Sequence, residues 1–174
     1  MQTPLITLDL LTVAHAPALF PVLGDPAMYR HIDRPIPADL SALRQTLQRW
    51  CTGGTADGRE RWFNWVVQLH QEGETPRSVG LMQATLDTQG VCWIGYMIGV
   101  PDQGRGLGRQ AVLAMLQELD QHCAPRQVLA CVEEENRRSI ALIEHLGFER
   151  ADAAWHAQHG LSATERLYHR PTKK

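Results

Sequence analysis

Gly95-Tyr96-Met97-Ile98-Gly99-Val100-Pro101-Asp102-Gln103-Gly104-Arg105-Gly106-Leu107-Gly108-Arg109-Gln110-Ala111 joins an apolar, strand-like run to a glycine-rich turn and then to a helix. Gly104, Gly106 and Gly108 let backbone N–H groups converge on one point without Cβ obstruction. The first turn of the following helix adds its unpaired donors and the positive end of its dipole, so the turn suits a phosphate. Arg105 and Arg109, four residues apart, can add charge-assisted bonds to the same anion, which favours a diphosphate over a carboxylate. A single glycine would be read as a tight turn and nothing more. Three alternating glycines argue for the anion.

Upstream of this stretch the apolar period is two. Phe63, Trp65, Val67 and Leu69 alternate with Trp62, Asn64, Val66 and Gln68, which predicts a strand from Arg61. Residues 77–86 and 91–100 read the same way, with turn signals at Glu72-Gly73-Glu74 and Asp87-Thr88-Gln89-Gly90, so three strands form an antiparallel meander. Residues 6–11 suit a first strand, and Thr12 can cap a helix to Leu23 that Pro17 and Pro21 break or bend. Gly24-Asp25-Pro26 ends it. Leu40, Leu43, Leu47 and Trp50 predict a second helix over about 39–50.

Downstream the period is that of a helix beginning near Gly104, with Gly108, Val112, Met115 and Leu119 on one stripe. Residues 128–132 read as a short buried strand. Ile140, Ile143 and Leu146 mark another helix, which Gly147 ends as a left-handed residue with Phe148 covering the cap. Residues 150–155 and 165–170 predict a closing hairpin around the Gly160 turn. The order β-α-α-β-β-β-α-β-α-β-β gives an α/β (α+β) chain with a central mixed, mostly antiparallel twisted sheet flanked by helices.

The 174 residues form one domain, 1–174, with no internal repeat and no linker; the loosest stretch is 51–60. Hydrophobic residues at 44% and charged residues at 21% are the composition of a globular protein that packs a core. A formal charge of -2 and a pI near 6.4 supply no positive field for a polyanion, so a dedicated nucleic-acid binder is disfavoured. No apolar run approaches the roughly 18–20 residues of a membrane span, and Met1-Gln2-Thr3-Pro4 lacks the features of a secretory signal, so the expected location is cytoplasmic. Cys51, Cys92, Cys123 and Cys131 have no C-x-x-C spacing, and three of them stand in segments that read as buried, so free thiols are expected. Arg109 and Gln110 after Gly108 exclude a P-loop, which needs Lys and then Ser or Thr. Gly106-x-Gly108-x-x-Ala111 with Glu133 satisfies a dinucleotide fingerprint, but the preceding meander does not supply the alternating β and α units of a Rossmann half.

Gln103-Gly104-Arg105-Gly106-Leu107-Gly108, at the mouth of a helix after a strand, resembles the acetyl-CoA motif of the GNAT superfamily of N-acetyltransferases, Gln or Arg followed by x-x-Gly-x-Gly or Ala. Asn136-Arg137-Arg138-Ser139-Ile140-Ala141-Leu142-Ile143-Glu144-His145-Leu146-Gly147-Phe148 resembles the superfamily's Asn-x-x-Ser…Leu-Gly-Phe segment. Together the two motifs extend the resemblance to most of the chain. Gly24-Asp25-Pro26-Ala27-Met28-Tyr29-Arg30-His31 is similar to a helix start in the branch that includes ribosomal-protein N-terminal (alanine/serine) acetyltransferases and enzymes acting on small amines and antibiotics.

The resemblance implies a GNAT-like single domain that uses acetyl-CoA as co-substrate, without a metal, and moves the acetyl group directly to a primary amine, a protein N-terminus or a small molecule. It implies that Ile98, Gly99 and Val100 pair with pantetheine through backbone groups. Gln103, Gly104, Arg105, Gly106, Leu107, Gly108 and Arg109 would hold the pyrophosphate, and Asn136 would belong to the same site. A widening between that strand and residues 128–132 would expose N–H groups to polarise the thioester carbonyl. Attack by the amine needs no acyl-enzyme, so neither Cys92 nor Cys131 is required as a nucleophile, and their buried setting argues against that role.

Three departures concern the acid and the base. The tyrosine that many relatives carry four residues before Gly-Phe, where it protonates the leaving thiolate, is Ile143 here. Ser139 is the substitute the resemblance offers; the plainer reading is a helical serine bonded to a carbonyl one turn back. Trp93 and Cys131 occupy places where relatives carry a glutamate. The remaining bases are His156, His159 or a chain of waters, histidine being the side chain suited to neutral pH. His156-x-x-His159 lacks a third ligand for a metal.

Two rivals accompany the acetyltransferase reading: a non-catalytic acyl-CoA-binding sensor, favoured by the substitutions at Trp93, Cys131 and Ile143, and an NAD(P)-dependent oxidoreductase resting on the glycine fingerprint. The acceptor would be lined by residues 28–60 and by the final hairpin, where no motif speaks. Exposed edges of Trp62 or Trp65 could support a homodimer, against the commoner reading of buried tryptophans.

Overall fold

The computed structural model describes residues 5–171. Met1–Pro4, read for leader features, lie outside the described residues. Seven strands form one sheet: β1 (Leu5–Leu10), β2 (Glu60–His70), β3 (Arg77–Asp87), β4 (Val91–Ile98), β5 (Gln127–Glu133), β6 (Glu149–Arg150) and β7 (Glu165–His169), in the spatial order β1-β2-β3-β4-β5-β7-β6. Every neighbouring pair is antiparallel except β4 with β5. The predicted meander is β2-β3-β4, and the mixed, mostly antiparallel sheet is as expected. A single parallel pair does not make the parallel sheet of a dinucleotide-binding fold.

Helices cover both faces of the sheet. On β4, Cys92, Ile94 and Ile98 enter a core with α3 (Leu107–His122) and α4 (Arg137–His145), through Val112, Met115, Leu119 and Ile143. Met97, of opposite parity, enters a second core with α1 (Ala16–Leu23) and α2 (Leu40–Trp50), through Leu19, Leu23, Leu43 and Leu47. The period-two strands therefore bury both faces, which is why β2 and β3 read as almost continuous apolar runs.

The predicted helix from Thr12 is divided. A 3-10 turn at Val13–His15 precedes α1, which takes Pro17 in its first turn, and a second 3-10 turn follows at Pro26–Tyr29 behind the Asp25 cap. Asp39 caps α2 by accepting from the Ala42 N–H at 2.8 Å, as its position suggests. Gly147, at φ +81°, follows the last turn of α4, and Phe148 is buried over it.

The closing hairpin is a correction. Residues 149 and 150 alone form β6, and α5 (Ala153–Gln158), capped by Asp152, occupies the span predicted as strand. The Asp152 side chain accepts from the Trp155 N–H at 2.8 Å, and that local bond starts a helix where the closing hairpin is expected. The β6–β7 pairing is present, Glu149 opposite His169. Trp65 is fully packed in the core, so its edge is closed to a partner, while half-buried Trp62 donates its indole N–H to Glu60. Of the cysteines, Cys92 alone is fully buried; Cys123 and Cys131 are half-buried and Cys51 is exposed.

Candidate active site

The glycine-rich turn differs in one detail from its predicted form: α3 starts at Leu107, and Gly104 and Gly106 precede it in the left-handed region at φ +76° and +77°. A Cβ at either position would meet no atom within 4 Å, so the glycines serve backbone conformation and leave open space in front of the turn. Among the described residues, the N–H groups of Gly104, Arg105, Gly106, Leu107, Gly108 and Arg109 reach no carbonyl acceptor; the first helical bond runs from Gln110 N to Gly106 O at 3.2 Å. Six free donors at a helix start fit a pyrophosphate. The Leu107 side chain points into the core, and Gly108 passes close to α4, where an added Cβ would lie 3.0 Å from Leu142.

The two arginines of the turn are not equivalent. Arg105 is 2.8 Å from the buried carboxylate of Asp102, which Arg77 of β3 also holds through both guanidinium nitrogens at 2.7 and 2.8 Å. Arg109 stays exposed. Hydrogen bonding to Arg77, reinforced by charge, holds the Asp102 carboxyl below the usual carboxylate range. Gln103 turns back, donating to the Ile98 carbonyl at 2.9 Å and accepting from Arg138 at 3.2 Å, which ties the turn to α4. Gly99 donates to Val79 O at 2.8 Å, so its N–H is taken, and Val100 opens a 3-10 turn.

Strand β4 separates from β5 after Ile94, the last residue paired with it, opposite Ala130, although the two strands run on to Ile98 and Glu133. On its other side β4 remains paired with β3 up to Ile98. The parallel ladder thus opens toward the glycine-rich turn and frees one edge of β4 over residues 95–98, apart from the Ile98 carbonyl that Gln103 occupies. Tyr96 stands at this opening, its hydroxyl 2.5 Å from Ser139 Oγ in the first turn of α4. Ser139 therefore bonds Tyr96 and not a carbonyl one turn back. Asn136 caps α4, accepting from the Ser139 N–H at 3.1 Å, a structural task for a residue expected in the cofactor site. Burial pushes the Tyr96 phenol up to about 12. Ile143 is fully buried and supplies no polar group.

The opposite face of the sheet carries His159 and His169. Trp93 on β4 meets His159 with ring centroids 5.2 Å apart, and Trp155 meets His169 at 4.8 Å. His156 Nε2 lies 2.9 Å from the Glu165 carbonyl; a carbonyl only accepts, so Nε2 carries the proton and Nδ1 is the remaining basic nitrogen of the neutral ring. Cys131 donates to the Glu165 carboxylate at 3.3 Å, and burial together with that carboxylate pushes its thiol up to about 12. Such a thiol is not a nucleophile at neutral pH. Ser139 and His156 thus approach the sheet from its two sides. Among the described residues, no group of three His, Cys, Asp or Glu side chains stands together as a metal site. A cleft of about 800 Å³ lies beyond β4 on the α1 side, beside Val22, Gly99 and Asp102, and contains neither Tyr96 nor Ser139.

Sequence reasoning missed Tyr96, Asp102 and Glu165. Tyr96 and Asp102 sit inside the stretch that identified the turn, but their partners are 43 and 25 residues away, and no local pattern announces such pairs.

An opened parallel pair beside a glycine-rich helix start is the architecture of an acetyltransferase. Residues 6–149 match the acetyltransferase (GNAT) domain family, and the chain belongs to it. A 66-residue stretch is 42% identical to the mycothiol acetyltransferase of Nocardioides sp., covering 37% of this chain and 22% of that relative's length. Among solved structures, the fold is similar to the acetyltransferase from Salmonella typhimurium that modifies the N-terminal serine of ribosomal protein L7/L12, with a TM-score of 0.75 and 18% identity over 97% of this chain and 95% of that one. It is also similar to the microcin C7 self-immunity acetyltransferase MccE, solved with acetyl-CoA and AMP, with a TM-score of 0.76 and 16% identity over 96% and 92%. Among the described residues no helix is long and apolar enough to cross a membrane.

Proposed function

We propose that this acetyltransferase moves the acetyl group of acetyl-CoA directly to a primary amine, either a protein N-terminus or a small-molecule amine. The observation that carries the reading is the separation of β4 from β5 after Ile94–Ala130, next to six unpaired N–H groups at the start of α3. The free N–H groups of Gly104 to Arg109, with the exposed Arg109 side chain, suit the pyrophosphate. The free edge of residues 95–98 suits the amide groups of pantetheine, apart from the Ile98 carbonyl, which already accepts from Gln103. Gln103 holds the turn against Ile98 and α4, a supporting task.

Backbone N–H groups at the opening would stabilise the charge that develops on the thioester oxygen. Ser139 would face the departing sulfur from the α4 side. From the other face, His156 through Nδ1, or His159, or a water held by either, would take the proton of the attacking amine. The raised thiols of Cys92 and Cys131 support direct transfer without an acyl-enzyme. The L7/L12-modifying neighbour and the mycothiol acetyltransferase stretch support, respectively, a protein N-terminus and a small-molecule amine as acceptor. A cytoplasmic location, and no nucleic-acid or membrane partner, accompany this reading.

Calorimetry with acetyl-CoA and NAD(H), followed by thiol release from acetyl-CoA over peptides with free N-termini and small polyamines, tests it. Acetyl-CoA binding with thiol release on one class of amine is expected. Tight binding without release on any amine would favour an acyl-CoA sensor, the reading that Ile143, Trp93 and Cys131 keep in play; a preference for NAD(H) would overturn both.

A further inference from the structure

We infer that Tyr96 is a positioning residue for Ser139: its phenol donates to Ser139 Oγ and so leaves the serine's own O–H directed at the sulfur that departs from the thioester. The inference rests on the acetyl-CoA reading above.

Tyr96 lies two residues beyond Ile94, where β4 has parted from β5, and its ring packs against the core under α3 and α4. Its hydroxyl is 2.5 Å from Ser139 Oγ and 3.4 Å from the Ser139 carbonyl, so the hydroxyl oxygen is the nearer acceptor for the phenol's single proton. The Ser139 N–H is already held by Asn136, which fixes where Oγ stands. With Oγ accepting from Tyr96, the serine proton is free to turn into the opening between the strands. The reverse arrangement, in which Ser139 donates to the phenol and the phenol donates to the Ser139 carbonyl at 3.4 Å, would aim the serine proton back at the ring and leave the opening without a donor.

Burial keeps the phenol protonated, with its pKa at about 12, so Tyr96 remains a donor throughout the neutral range. A thiol ordinarily titrates at about 8.5, well below either hydroxyl. The C–S electron pair therefore leaves with sulfur as a thiolate, which accepts a hydrogen bond from Ser139; neither hydroxyl gives up its proton. Ile143 on α4 is apolar and fully buried, so the phenol at this site comes from strand β4 and acts one bond further from sulfur.

The test titrates the thiol of bound CoA by its ultraviolet thiolate absorbance, in the wild type, Tyr96→Phe, Ser139→Ala and the double variant. In the wild type the bound thiol should titrate below free CoA. Each single variant should raise it by about one unit, the size expected when a hydrogen bond to a charged group is lost, and the double variant should raise it no further. Tyr96→Phe keeps the packed ring, so far-ultraviolet circular dichroism and affinity for CoA should match the wild type to within about twofold. A Tyr96→Phe titration that overlies the wild type would overturn the inference, as would a double variant in which the two rises add. Absence of CoA binding in the wild type would instead overturn the acetyl-CoA reading, a failure visible before any variant is made.

Discussion

Asp102, 2% exposed, holds Arg77 through two hydrogen bonds of 2.7 and 2.8 Å and thereby ties the glycine-rich turn to the start of β3. Arg105 closes the same carboxylate from within the turn. The pair is asymmetric: the carboxylate is buried, while the side chains of Arg77 and Arg105 are 52% and 42% exposed. Removing the carboxylate therefore leaves arginines that water can still reach, and the cost is moderate. Asp102→Ala should lower stability by about 1–3 kcal/mol in urea unfolding and raise the KM for acetyl-CoA more than it lowers kcat. Because the folded-state pKa of Asp102 is depressed, its contribution is complete above the unfolded value of about 3.9 and is lost as pH falls through the folded value. The stability gap between wild type and variant should thus narrow in acid, as pH falls below the usual carboxylate range toward the depressed value. A gap that persists there would mean the loss comes from packing.

Gly106→Asp places an anion where the phosphate would sit. With φ at +77° and no atom within 4 Å of an added Cβ, the variant should fold at a cost of about 1–2 kcal/mol and lose CoA binding in calorimetry. A folded variant with unchanged affinity would remove the turn from the cofactor site.

Ser139→Ala should lower kcat by about 10–100-fold with little change in the affinity for acetyl-CoA, since the bond at stake forms only as the thiolate leaves. Steady-state turnover beside calorimetry separates the two effects. A wild-type rate would remove Ser139 from the reaction.

For the base, His156→Gln should flatten the dependence of rate on pH around neutrality and lower turnover about 100-fold. A profile identical to wild type would transfer the role to His159 or to water alone. Circular dichroism should accompany the measurement, because His156 also anchors α5 to β7 through the Glu165 carbonyl.

Thiol labelling checks the absence of a cysteine nucleophile. Exposed Cys51 should react first with a disulfide reagent at neutral pH, although its partial burial raises its pKa. Cys92 and Cys131, both pushed up to about 12, should resist until the chain unfolds. Cys131→Ser should keep turnover within about threefold of wild type, and a loss of several orders of magnitude would restore the acyl-enzyme route.

Local chemistry made much of this protein legible in its sequence. Alternation fixed the β2-β3-β4 meander, helical spacing fixed α2, α3 and α4, and glycines 104, 106 and 147 marked the turns where positive φ is required. Those signals concern neighbours within a few residues, and the chain reports them wherever it folds. The end of the chain misled for the same reason: the Gly160 turn suggests a hairpin with residues 150–155 as one strand, but Asp152 starts a helix with one side-chain bond.

What tertiary structure alone decided is where distant segments meet. The ladder between β4 and β5 ends at Ile94 and Ala130, although both strands continue. Tyr96 meets Ser139 across 43 residues, Asp102 meets Arg77 across 25, and Ser139 and His156 come to opposite faces of one sheet. Each depends on register and on the parity of a side chain along its strand, which are set by how whole elements pack. The sequence by itself determined the glycine-rich turn, because a turn is built from adjacent residues; the polar pair beside the open strand edge exists only when the sheet and α4 are assembled.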